Sequence, residues 1–80
     1  MKYRSEEGII AKILKIAIDG VSKTDILYGA RLTYFQLQKY LAWLGETKLL
    51  SHNESKGVYK TTDKGAKFIT LHDELDNLLK

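Results

Sequence analysis

The 80-residue chain contains no cysteine, which excludes disulfides and thiolate metal sites. Only two histidines are present, His52 and His72, and they fall on different expected elements, so no imidazole metal set is visible. No apolar run approaches the roughly 20 residues that a membrane helix requires. The opening stretch, Met1 to Glu7, is polar and charged rather than signal-like. Together these absences fit a cytoplasmic protein. A glycine-rich phosphate loop is missing as well, since Lys56-Gly57 and Lys64-Gly65 stand without the rest of that pattern. Ser, His and Asp all occur, but a chain of this length offers no pocket for a shielded triad. The reading is of one domain, 1–80, that is not an enzyme and carries no cofactor or metal.

What the chain does have is a globular composition: 44% of its residues are hydrophobic, too many for a disordered tail. A core this small often borrows stability from disulfides, metals or a partner. With the first two excluded, a second subunit is the expected source. The net charge of +3 is unevenly placed. Residues 1–72 carry 12 Lys/Arg against 7 Asp/Glu, a balance of +5, whereas residues 73–80 carry Asp73, Glu74 and Asp76 against Lys80, a balance of −2. A basic body with an acidic end suits a polyanion on one side of the molecule.

The order of elements is more informative than any single motif. Ser5 is an N-cap for a helix over about 6–18, with Glu6 and Glu7 in its first turn and Ile9, Ile13, Ile16 and Ala17 at helical spacing. Gly20 stops it. Ser22-Lys23-Thr24-Asp25 has the form of a capping box and opens a short helix, 23–30, with Ile26, Leu27 and Ala30 facing a core. Thr33-Tyr34-Phe35-Gln36 is a second box, opening a helix over 34–46 with Leu37, Leu41 and Leu44 on one face. Only Gly29 to Leu32 separate the two, which is the helix-turn-helix spacing. Leu49–His52 and Gly57–Thr61 are short candidate strands around a polar turn. Thr62 or Asp63 caps a last helix, 63 to about 79, whose apolar positions are Phe68, Leu71, Leu75, Leu78 and Leu79. Three helices, a hairpin and a terminal helix give a mainly α (α+β) chain with winged-helix topology.

On these residues the chain resembles the small archaeal winged helix-turn-helix proteins known from Sulfolobus and its plasmids and viruses. The resemblance is carried by Lys23-Thr24-Asp25-Ile26-Leu27-Tyr28-Gly29-Ala30, by Leu32 to Leu41, and by Tyr59-Lys60-Thr61-Thr62-Asp63-Lys64-Gly65 with Phe68. It spans nearly the whole chain, from Arg4 to about Leu79. It implies binding of double-stranded DNA, a role in transcription regulation or chromatin, and dimerisation through the C-terminal helix. Two departures stand out. Lys48 occupies the place before the first wing strand where the family commonly has glycine. The terminal helix is also short, roughly 25 Å at 1.5 Å per residue, so a long coiled coil is not possible.

With Leu37 facing the core, a helical wheel turns Phe35, Gln38, Lys39, Ala42 and Glu46 outward. A recognition helix reads base edges with its first turns, which selects Thr33, Tyr34, Phe35, Gln36, Gln38 and Lys39. Gln36 or Gln38 suits adenine, Lys39 a guanine or phosphate, and Phe35 a thymine methyl if it is exposed rather than packed under the wing or against helix 1. Lys23, Thr24, Arg31, Lys56 and Lys60 are expected on phosphates, with Lys2 and Arg4 as a basic N-terminal arm. Trp43 lies off the leucine stripe, either at the core edge or in a subunit interface. Leu71, Leu75, Leu78 and Leu79 reach beyond what the body can cover and are expected in a homodimer interface. Two other functions remain open: sequence-tolerant packaging of DNA, and a protein-interaction module with no DNA role.

Overall fold

A computed structural model describes residues 5–80; the arm expected at Lys2 and Arg4 lies outside them. Four helices and a hairpin follow one another in the expected order: α1 (Glu6–Ile16), α2 (Lys23–Gly29), α3 (Tyr34–Glu46), β1 (Leu50–Asn53), β2 (Val58–Thr61) and α4 (Asp63–Leu78). The caps explain where the helices begin. Ser5 Oγ accepts from Gly8 N at 3.0 Å, and Thr62 Oγ1 accepts from Gly65 N at 3.0 Å. Ser22 and Thr33 each close a reciprocal capping box, with Asp25 and Gln36 returning to the cap N–H. Each cap contributes on the order of 1 kcal/mol, which matters most for α2, a helix of only 7 residues.

The ends of α2 and α3 share one device. Arg31 N donates to Tyr28 O and Leu32 N to Leu27 O, and likewise Lys48 N to Gly45 O and Leu49 N to Leu44 O. This is the paired terminal bonding that closes a helix through one left-handed residue, usually glycine. Here those residues are Arg31 (φ 56°) and Lys48 (φ 66°). The glycine missing before the wing is therefore missing from a position that still adopts glycine's conformation, at a cost of about 1–2 kcal/mol. Both substitutes are cations at a helix C-terminus, where the dipole partly offsets that cost.

The core is a single cluster fed by every helix but α4, with Ile13, Leu14, Ile26, Leu37 and Leu44 essentially closed to solvent. The α3 stripe is as expected, widened by the buried Tyr40. Helix α1 buries more than its one expected face: Ile10, Ala11 and Leu14 join Ile9 and Ile13. It is central, packed by α2 on one side, α4 on another and the end of the wing. Gly20 (φ 95°) lies past the helix end, which is already closed at Ala17.

The wing is antiparallel with Leu50 opposite Thr61 and Asn53 opposite Val58. A third segment, not expected from the sequence, completes it. Val21 and Tyr59 exchange both backbone hydrogen bonds, at 2.9 and 2.7 Å. Thr61 then ties the base of the wing to α1, its N–H to Ala17 O at 3.0 Å and its hydroxyl to Leu14 O at 2.6 Å. The wing thus leaves a body to which it is bonded at both ends of β2. At Gly65, α4 passes so close to the chain before β1 that an added Cβ would collide with the Leu49 carbonyl oxygen.

Candidate nucleic-acid interface

The local sequence sets the presentation of α3. Because Leu37, Tyr40, Leu41 and Leu44 are drawn into the core, the residues between them are forced outward, and Thr33 to Gln36, Gln38 and Lys39 all face solvent. Phe35 is 86% exposed and Tyr34 60%. The alternative placements of Phe35, beneath the wing or against α1, do not occur. Two large aromatics left in water at the start of a helix form an exposed, partly apolar tip.

The polar groups around this tip are partly engaged. Gln36 Oε1 accepts from Thr33 N at 3.0 Å while Thr33 Oγ1 accepts from Gln36 N at 3.1 Å, so both side chains serve the cap. Gln38 Nε2 donates to the Tyr34 hydroxyl at 2.8 Å, one turn away. The Lys39 ammonium lies 3.9 Å from Glu6 of α1 and 5.9 Å from the Tyr40 ring centre. That pair is largely exposed and contributes little. It does place the start of α1 beside α3.

The expected phosphate contacts are distributed over three places. Lys23 and Thr24 open α2, and Arg31 sits in the left-handed position between α2 and α3. Lys56 and Lys60 belong to the exposed wing, Lys56 in its loop and Lys60 on β2. The loop itself is ordered by Asn53, whose Oδ1 accepts from Lys56 N at 3.2 Å and from the Ser55 hydroxyl at 3.0 Å.

One part of this surface was not legible beforehand. His52 and Tyr59, opposite each other on the wing, stack with ring centres 4.1 Å apart and planes 2° from parallel. With Gln38, Leu41, Ala42, Gly45 and Glu46 of α3 they line a shallow cavity of about 360 Å³ between helix and wing. Pairing across strands depends on register, which the sequence alone left loose. The signal available was that His52 and Tyr59 are ring-bearing residues equally distant from the middle of the turn.

A second exposed apolar surface carries the leucines of α4. Phe68 packs against the core and stacks on His72, whose Nδ1 is buried without a hydrogen-bond partner and 3.9 Å from Asp73. Leu71, Leu75, Leu78 and Leu79 are 56–81% exposed. They do not form one flat stripe. Leu71 borders a groove with Leu49, Lys64, Lys67 and Phe68, while Leu75 and Leu79 border another against Ser5 and Glu7. Asp73, one of the three acids at this end of the chain, turns to α1 and pairs with Lys15 at 3.0 Å. Trp43 is 41% exposed.

Among the described residues no cluster of His, Cys, Asp or Glu is arranged to hold a metal ion, and no helix is long and apolar enough to cross a membrane. Comparison with curated protein sequences gives no significant match. Among solved structures the chain is similar to Sso10a-2, a DNA-binding protein from Sulfolobus solfataricus, with a TM-score of 0.82 and 27% sequence identity over 94% of this chain and 81% of that one. The model of the winged helix-turn-helix family matches residues 3–80. The element order, the two capping boxes and a match over almost the full length agree: the chain belongs to the winged helix-turn-helix family.

Proposed function

We propose that this protein binds double-stranded DNA with the first turns of α3 in the major groove, as a homodimer that regulates transcription. The observation that carries the reading is the outward-facing start of α3. Tyr34, Phe35, Gln38 and Lys39 stand clear of the core on a rigid helix of 13 residues, and the similar Sulfolobus protein is itself described as DNA-binding. A major groove about 12 Å wide admits such a helix, with Phe35 suited to a thymine methyl and Gln38 to adenine. Lys23, Thr24, Arg31, Lys56 and Lys60 flank it as phosphate contacts, which fix register without reading sequence.

A second copy is supported by α4. Its first half carries Lys64 and Lys67 against Asp63, a balance of +1, and its second half Glu74 and Asp76, Asp73 being paired with Lys15, with the exposed leucines between and beyond. An antiparallel pairing sets each basic half beside the partner's acidic half, whereas a parallel one opposes like charges. A two-fold dimer would place two α3 helices on a pseudo-palindromic site about one DNA turn apart. A cytoplasmic location suits such a role, and the archaeal likeness rests on the Sulfolobus protein.

One observation favours a second reading, sequence-tolerant packaging of DNA. Both candidate base-reading amides are engaged inside the protein, Gln36 through Oε1 at its cap and Gln38 through Nε2 to Tyr34, which orients each amide toward the protein and leaves it fewer sites for a base. Titration of a random duplex and of a site selected from a random pool, at several salt concentrations, separates the two. A selected site bound a thousandfold more tightly supports regulation. Equal affinities with a slope set only by neutralised phosphates support packaging. Absence of any duplex binding sinks both.

A further inference from the structure

Two pairs of rings border α3 outside the core. Tyr34 and Phe35 stand at its start, and Phe35 is the most exposed of the large apolar side chains among the described residues. His52 and Tyr59 stand on the wing, stacked on each other and lining the cavity between wing and α3. They share a face of the hairpin with the buried Leu50 and Thr61, two residues nearer the body. The inner face of the wing therefore continues as rings past the point where the body covers it. Gln38 joins the two pairs: its side chain donates to the Tyr34 hydroxyl at 2.8 Å and lines the same cavity as His52 and Tyr59. A track of rings bridged by one amide thus runs from the start of α3 to the wing.

We infer that this track binds an unpaired stretch of DNA strand, with bases stacked on Tyr34 and Phe35 at one end and against the His52–Tyr59 pair at the other. The inference rests on the DNA-binding reading above and adds to it a preference for opened over intact duplex. A base that has left its own stack gains by lying on a ring face, and such stacking tolerates any sequence. A paired base shows a groove only its edge, which covers little of two exposed rings. The polar edge of Tyr34 is already taken by Gln38, so the ring is held in place before a base arrives, and less order must be imposed on binding. Tyr59 is held as firmly, through both backbone bonds to Val21. The charges agree. Lys39 follows Phe35 by one turn on the same side of α3; its pairing with Glu6 at 3.9 Å is largely exposed, and a phosphate can displace it. No acid occurs from Tyr34 to Gly45. Glu46 is the one carboxylate lining the cavity; it repels a phosphate but accepts from a base amine, which sets bases inward and backbone outward. There is room as well, since a Cβ added at Gly45 in the same lining would meet nothing within 4 Å.

The test compares the affinity of the full chain for a mixed-sequence duplex with that for the same duplex carrying a central run of mismatched pairs, in one buffer. Phe35→Leu, Phe35→Trp and His52→Ala are measured alongside. Both positions are exposed, and thermal melting verifies that each variant folds. The wild-type chain is expected to bind the opened duplex about tenfold more tightly, the worth of roughly one stacked base. Phe35→Leu keeps an apolar contact but loses the ring face. It should lose about tenfold on the opened duplex and stay within about twofold on the intact one. Phe35→Trp retains the preference, and His52→Ala narrows it about threefold. Equal wild-type affinities for the two duplexes overturn the inference and leave the DNA-binding reading standing. A Phe35→Leu loss of the same size on both makes Phe35 a groove contact and overturns it too. A preference untouched by His52→Ala removes the wing from the track, and the inference with it. Binding to the opened duplex alone upholds the inference and removes the intact-duplex reading; binding to neither removes both.

Discussion

Two surfaces of this small protein expose large apolar side chains, and they differ in almost everything else. The start of α3 presents Tyr34 and Phe35 among neutral polar groups and cations, on a helix whose other side is locked in the core. The end of α4 presents Leu75, Leu78 and Leu79 beside Glu74 and Asp76, with Leu71 nearer Lys64 and Lys67, on a helix that buries only Gly65 fully. Aromatic rings with flanking lysines suit a polyanion with apolar edges, which is what a major groove offers. The carboxylates beside Leu75, Leu78 and Leu79 repel that partner, and the leucines suit another protein surface. Exposure alone would class the two together; the surrounding charge separates them.

The separation depends on both helices being held by one rigid body, and Gly65 is where α4 is fastened. Gly65→Ala is expected to have the largest effect. The Leu49 carbonyl oxygen is backbone and cannot step aside cheaply, so a loss of about 3 kcal/mol is predicted, visible as a fall in Tm of more than 10 °C for a domain of this size. An Ala variant that melts with the wild type would show that the contact between α4 and the chain before β1 is looser than described.

Next in size is the removal of the α4 surface. Leu71→Glu with Leu75→Glu is expected to raise the dimer dissociation constant about a hundredfold, read by sedimentation, with duplex affinity falling in step as one recognition helix is lost. A wild-type chain already monomeric at millimolar concentration would remove the assignment of this face to a second copy.

Changes on the α3 side are predicted to leave assembly intact. Arg31→Ala with Lys39→Ala is expected to weaken duplex binding at least tenfold, about 1.4 kcal/mol, with melting and sedimentation unaltered. Normal duplex affinity in that folded variant would favour a protein-interaction module. The smallest effect is expected at Lys48. Lys48→Gly removes the left-handed strain but frees the unfolded chain, for a net gain of roughly 0.5–1 kcal/mol, while duplex affinity stays within twofold. A large loss of affinity would place Lys48 in the interface with Arg31.

Much of this molecule was legible before folding was considered. The capping residues Ser5, Ser22 and Thr33 marked three helix starts, and the fourth lay at one of the two candidates, Thr62 rather than Asp63, because a cap is a local event, three residues long. The leucines of α3 marked its inner face, and by subtraction its outer one, because helical period is also local. The wheel even turned Phe35 outward, although only the structure removed its packed alternatives. What the sequence could not determine were the meetings of distant segments. Nothing near Val21 announces a strand, since its bridge to Tyr59 exists only once the wing folds back on it. Leu14 and Ile10 lie off the expected α1 face because three neighbours surround that helix. Lys12 and Lys15 are equivalent in sequence, and only the placement of Asp73 beside Lys15 tells them apart. Sequence determined the elements, their caps and their faces, through interactions within one helical turn. Tertiary structure decided which charges are spent inside the protein and which remain for a partner, because that depends on neighbours that only the packed core brings together.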